Sequence, residues 1–189
     1  MEIILKNFKL NEEGSFSITR PHESNQIIYF MENFINHEIC NMIITDAMAC
    51  MGGDLIKFSR YFRIVNGIEI DLNNFKLLVE NCKIFNCQNI NLFHQDYIEI
   101  YDKLKQDIIY LDPPWTGPGY KNKEIVVLKI GNLELWQLIN LIKEKNLAKY
   151  VFIKAPSNVC LDKLEYDSIH IIFNKSKKPS FKLICIHNS

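Results

Sequence analysis

Seven short apolar runs rich in Ile, Val and Phe, set apart by stretches of helical period, decide most of what this chain can fold into. They are Met42 to Asp46, Ile64 to Glu69, Ile90 to Phe93, Ile108 to Leu111, Tyr150 to Lys154, Ile169 to Phe173 and Leu183 to Ile186. Between them, Leu72 to Phe85 places Leu72, Phe75, Leu78, Val79 and Cys82 on one face, and Leu133 to Lys145 does the same with Leu135, Leu138, Ile139 and Ile142. Strand, helix and strand in succession pair in parallel through right-handed crossovers, which predicts a doubly wound α/β sheet with helices on both faces. The last two runs are separated only by the polar stretch Asn174 to Ser180, with no room for a helix, so they are expected to close the sheet as an antiparallel hairpin. Ahead of the first run, residues 1 to about 20 are polar and weakly alternating, and a helix is predicted over Glu23 to His37 after Pro21. Residues 1–40 are thus read as an N-terminal extension packed on the catalytic edge of a domain spanning 41–189, the whole forming one compact unit.

At 189 residues with 48% hydrophobic content, the chain can bury one substantial core. Its 22 basic residues balance 22 acidic ones, which excludes a protein that grips long tracts of phosphate backbone; any nucleic acid has to be held locally. No window approaches the roughly 18 apolar residues of a membrane span, and the first residues carry charges where a signal peptide needs an apolar run. The expectation is a soluble, intracellular protein that acts as a monomer. Cys40, Cys50, Cys82, Cys87, Cys160 and Cys185 form no CxxC pair and no zinc-spaced set with histidine, so they are read as reduced thiols and no metal site is expected.

The chemistry sits at strand ends. The first run leads into Asp46-Ala47-Met48-Ala49-Cys50-Met51-Gly52-Gly53-Asp54, a loop where open α/β sheets bind cofactors and where paired glycines permit close approach of the backbone. About 20 residues on, Glu69 and Ile70 end the second strand, and a carboxylate there can accept from both ribose hydroxyls of a nucleoside cofactor. Asp71 fits an N-cap for the helix beginning at Leu72. After the third strand, Asp96 is placed to take an adenine amine and Tyr97 to stand as a wall beside the ring. The loop has no GxGxxG, so no pyrophosphate cradle is called for.

The fourth strand runs straight into Asp112-Pro113-Pro114-Trp115. Two prolines fix the backbone and remove two N–H donors, leaving carbonyls in a preset geometry. An exocyclic base amine is a poor nucleophile, because its lone pair is delocalised into the ring. Acceptors must therefore hold its hydrogens while the lone pair points at an electrophilic methyl, and Asp112 with the Pro113 carbonyl can supply them.

This segment resembles the (D/N/S)PP(Y/F/W) motif of amino-methyltransferases, and the acidic strand ends resemble those of S-adenosylmethionine-dependent enzymes with the Rossmann-like class I methyltransferase fold. Three segments narrow the likeness further. Glu13 to Thr19, Asp46 to Gly53 and Leu111 to Tyr120 resemble, in order, the EGxFSVTP, DAFCGVGGN and SPPWGGPxY segments of the trimethylguanosine synthase family, RNA cap guanine-N2 methyltransferases. The resemblance implies S-adenosylmethionine as cofactor, held by Asp46, Ala47, Cys50, Gly52, Glu69, Ile70, Asp96, Tyr97 and Asp112. It implies a 7-methylguanosine-capped RNA as partner, with di- or trimethylguanosine as product. Asp112, Pro113 and Trp115 would be catalytic, and Trp115, Pro114, Tyr120, Lys154 and Asn158 would bind substrate. Trp115 would stack on the cationic 7-methylguanine ring, and Lys121, Lys123 and Lys154 are the nearest candidates for the phosphate chain. Asp112 departs from the family's serine and matches adenine-N6 methyltransferases, the principal alternative. A cofactor-free cap-binding module, and methylation of ribosomal RNA or of protein glutamine, also stand open.

Overall fold

A computed structural model describes residues 7–36, 38–115 and 117–188. Residues 1–6 of the predicted N-terminal extension and His37, the predicted end of its helix, lie outside them. The chain forms a seven-stranded sheet of order β3-β2-β1-β4-β7-β9-β8. The strands are β1 (Ile43–Asp46), β2 (Ile64–Glu69), β3 (Ile90–His94), β4 (Ile108–Leu111), β7 (Tyr150–Ala155), β8 (Ser168–Phe173) and β9 (Pro179–His187). The first five of these pair in parallel, and β9 runs antiparallel to both β7 and β8. The C-terminal hairpin is as expected, with β9 inserted between β7 and β8. β9 starts at Pro179, earlier than the apolar run, and the first position of a strand is one where a missing N–H is tolerated.

The central strands are apolar on both faces because helices cover both. Every residue of β1, β4 and β7 is buried. Among the described residues, six α-helices accompany the sheet: α1 (Glu12–Ser17), α2 (Pro21–Ile35), α3 (Gly53–Phe58), α4 (Leu72–Ile84), α5 (Tyr97–Ile100) and α6 (Leu135–Glu144). One core cluster packs Ile27, Ile28 and Met31 of α2 with Leu55, Phe58 and Leu78; the other packs Leu138, Ile139 and Ile142 of α6 with Ile109, Val151 and Ile184. Asp71 caps α4 by accepting from the Asn73 and Asn74 amides, as expected. The periodicity of Leu133 to Lys145 splits, its first two residues forming β6 (Leu133–Glu134) against β5 (Lys129–Ile130) around Gly131 at φ 57°.

The polar N-terminal stretch folds into a helical turn, α1, because Asn11 caps it through the Gly14 amide. α2 starts at Pro21, with the Arg20 amide donating to the Glu23 carboxylate. On the far side, Gln26 clamps the edge strand β8, donating to the Phe173 carbonyl at 2.7 Å and accepting from its amide at 3.0 Å.

Candidate active site

Chain order reverses beside β1, with β2 on one side and β4 on the other, and the carboxyl ends of these strands are the switch-point crevice where open α/β sheets bind ligands. The β1–α3 turn lies across that end. Ala47 donates its amide to Tyr110, Ala49 donates to Ile68, and Cys50 donates to Glu69 Oε2 at 2.8 Å. Cys50 (φ 46°) and Gly52 (φ 93°) both take left-handed backbone to make the bend. The glycine pair serves the protein's own packing: a Cβ on Gly52 would lie 2.7 Å from Leu78, and one on Gly53 2.7 Å from Ile18.

Four strand ends deliver the charged groups: Asp46 from β1, Glu69 from β2, Asp112 just after β4 and Lys154 from β7. Glu69 is buried and oriented, Oε1 accepting from the Asp71 amide and Oε2 from Cys50. Next to it Ile70 is 64% exposed, an apolar side chain open to solvent at the crevice. Asp46 is 2% exposed, and its Oδ1 has no hydrogen-bond partner among the described residues. Burial, then the charges of Asp54 and Asp112, push its carboxyl well above the usual range, against a Met48 backbone hydrogen bond and Lys154. Such an orphaned acceptor fits a cationic or hydrogen-bonding ligand atom.

After β4, Pro113 is buried and Pro114 exposed. Trp115 is half-buried and its Nε1 has no partner among the described residues. Tyr120 meets its ring edge-on at 5.2 Å and Phe181 lies at 6.3 Å.

Three residues named from the sequence are engaged within the protein. Lys154 is 4% exposed, with Nζ 2.6 Å from Asp112 Oδ2 and 3.7 Å from Asp54 Oδ2, so it is an internal counter-ion rather than a phosphate contact. Tyr97 is 2% exposed and belongs to the core under α6, so it offers no face to a ligand. Asn158 donates Nδ2 to the carbonyls of Tyr120 (3.0 Å) and Lys123 (2.7 Å), fastening the segment after Trp115 rather than reaching out. Asp96 caps α5 through the Ile98 amide at 3.0 Å.

Sequence reasoning missed Asp54, Thr19 and Tyr110. Asp54 is buried and accepts from Thr19 Oγ1 (2.7 Å), Ser24 Oγ (3.2 Å) and the Tyr110 hydroxyl (3.1 Å). The signal was one lysine in the otherwise apolar run Tyr150–Ala155, which requires buried carboxylates for company.

Residues 40–189 match the family model of RNA cap guanine-N2 methyltransferases. The chain belongs to that family. It is 26% identical to the trimethylguanosine synthase of Schizosaccharomyces pombe, over 85% of this chain and 68% of that protein. It is 34% identical to a protein of Acanthamoeba polyphaga mimivirus, over 64% of this chain but only 48% of the viral protein's length. Among solved structures, a Thermus thermophilus 16S rRNA N2 methyltransferase in complex with AdoMet and guanosine superposes with TM-score 0.66 at 14% identity, over 92% of this chain and 44% of that one. A precorrin-6y methyltransferase from Geobacter metallireducens gives the same TM-score at 14% identity, over 100% and 98%. The fold is therefore Rossmann-like class I, and the family to which the chain belongs is one of methyltransferases. Among the described residues no helix is long and apolar enough to cross a membrane, and no cluster of His, Cys, Asp and Glu could hold a metal.

Proposed function

We propose that this methyltransferase adds methyl groups to the exocyclic N2 amine of a 7-methylguanosine RNA cap. The observation that carries the reading is Trp115, half-buried and 5.8 Å by its ring centroid from Lys154 Nζ, the ammonium that pairs with Asp112 at 2.6 Å and lies 3.7 Å from Asp54. A site with excess negative charge and an indole face suits two cations at once, a sulfonium methyl donor and a 7-methylated guanine. The family match and the Schizosaccharomyces pombe relative support the same acceptor.

In this reading Glu69 takes the ribose hydroxyls, Ile70 flanks the adenine, Asp96 accepts from its amine and Asp46 Oδ1 receives the amino-acid end of the cofactor. Asp112 Oδ1 and the Pro113 carbonyl hold the two hydrogens of the base amine, Trp115 stacks on the ring, and Pro114 and Tyr120 flank it. The cofactor supplies an activated methyl on a positively charged sulfur. With its hydrogens held by Asp112 and Pro113, the amine would present its lone pair to that methyl, and the product nitrogen would then lose the extra proton. Positioning and the loss of charge on the leaving group supply the rate. The residues before β1 are read as part of the same unit, covering the cofactor turn.

Binding tests the reading without catalysis. In a Trp136→Phe background, quenching of the remaining indole by 7-methyl-GDP reports on Trp115 alone. Trp115→Ala is expected to weaken 7-methyl-GDP binding, measured by calorimetry, by about 5- to 30-fold, the worth of a desolvated cation–π contact. Cofactor affinity should stay within about threefold. Equal loss of both ligands would make Trp115 structural. Adenine-N6 methylation is the second reading, favoured by Asp112 in place of serine.

A further inference from the structure

Lys154 is the single charged residue of Tyr150–Ala155, and it is wired to three other segments. Its Nζ donates to Asp112 Oδ2 at 2.6 Å and to Thr19 Oγ1 at 2.8 Å, and lies 3.7 Å from Asp54 Oδ2. Thr19 in turn donates to Asp54 Oδ2, so the N-terminal segment, the first turn of α3 and the Pro-Pro turn meet on one ammonium. Of the three hydrogens of the ammonium, one goes to the Asp112 carboxylate and one to the Thr19 hydroxyl, while Asp54 stands at ion-pair distance. Rotation of Lys154 away from Asp112 would leave a half-buried carboxylate without its cation, a costly arrangement.

We propose that Lys154 is a positioning residue for methyl transfer: it fixes the Asp112 carboxylate in one orientation, with Oδ2 engaged and Oδ1 left for the acceptor amine, and Thr19 and Asp54 hold Lys154 in place. The proposal rests on the reading of Asp112 as the amine's acceptor. It explains why a carboxylate can stand where the resembled family carries serine. A hydroxyl needs no counter-charge, whereas a carboxylate packed near Asp54 and Asp46 does.

The charged and titratable groups around Asp112 are Lys154 from β7, Asp54 from α3, Asp46 from β1 and Tyr110 from β4. Burial raises the Asp112 carboxyl, Lys154 lowers it and Asp54 raises it, leaving it above its ordinary value. Burial works against the Lys154 charge too, but Asp112, Asp54 and Asp46 outweigh it and hold the ammonium above its usual range. Removing Lys154 leaves only influences that favour protonation, and a protonated Asp112 loses acceptor capacity.

The test is a carbon-13 titration of the Asp112 carboxyl in the full chain without substrate, alongside kcat against pH with 7-methyl-GTP. Lys154→Met is expected to raise the Asp112 midpoint by about one unit or more. At neutral pH kcat should fall about tenfold or more and recover in part as pH rises, with KM for the cofactor within about threefold. Lys154→Arg should restore most of the rate. In an Asp112→Asn background, whose amide needs no cation, Lys154→Met should cost less than about threefold. Thr19→Val removes a hydrogen bond without unpairing a charge, so it stays testable if Lys154→Met does not fold, and it should move the midpoint up by less. An unmoved Asp112 midpoint, or the same loss of kcat in both backgrounds, overturns the proposal. A moved midpoint without methylation of 7-methyl-GTP supports the role of Lys154 and counts against the cap reading alone.

Discussion

Asp46 carries the sharpest conflict between stability and function in the molecule. Its carboxyl is raised because burial, Asp54 and Asp112 all disfavour the charge, so the folded state keeps the proton to higher pH than the unfolded chain, whose carboxyl has the ordinary value of about 3.9. Stability then falls as pH rises from that value through the raised folded value. Asp46→Asn removes the penalty. It is expected to raise the melting temperature at neutral pH, flatten part of the pH dependence above the ordinary carboxyl value, and weaken S-adenosylmethionine binding about tenfold. Scanning calorimetry across pH with cofactor titration reads all three; a lower melting temperature at neutral pH would place the charge among stabilising contacts instead. Asp112 and Trp115 were legible because Asp-Pro-Pro-Trp after an apolar strand is a specific pattern. The burial of Lys154 was not legible, because a lysine closing an apolar run reads as a solvated strand end, whereas β7 continues to Ala155 and carries the lysine inside the sheet.

At the scale of elements, the short N-terminal pieces lock the cofactor turn. A Cβ on Gly14 of α1 would lie 2.5 Å from Met51 Cε, and Ile18 meets Gly53. Asn81, fully buried on α4, accepts from the Lys9 amide at 2.8 Å and donates to the carbonyls of Lys9 (3.0 Å) and Met51 (2.9 Å). One side chain thereby joins three backbone groups of two segments. Asn81→Ala should cost about 2–4 kcal/mol, since buried partners are left unpaired. Denaturant titration checks this; a loss below about 0.5 kcal/mol would mean that water replaces the amide. The strands were readable because burial on both faces demands continuous apolar runs. The Asn11 cap, the one-turn α5 and the β5–β6 hairpin were not, being made by single local hydrogen bonds and by Gly131 rather than by any period.

Across the whole molecule, the topology brings residues from positions 19 to 154 to one crevice, and the neutral net charge hides a locally acidic site. That local excess, and not the balance over the surface, sets which ligands are welcome, and it favours cationic partners held by few contacts. The claim is tested most directly by methyl transfer from labelled S-adenosylmethionine to 7-methyl-GTP, GTP, an adenine-rich RNA oligomer and the matching DNA oligomer, measured side by side. Label on 7-methyl-GTP, with GTP at least about fivefold poorer in kcat/KM, is the predicted result. Label on the adenine-rich oligomers with none on 7-methyl-GTP would contradict it and make Asp112 the mark of an adenine acceptor.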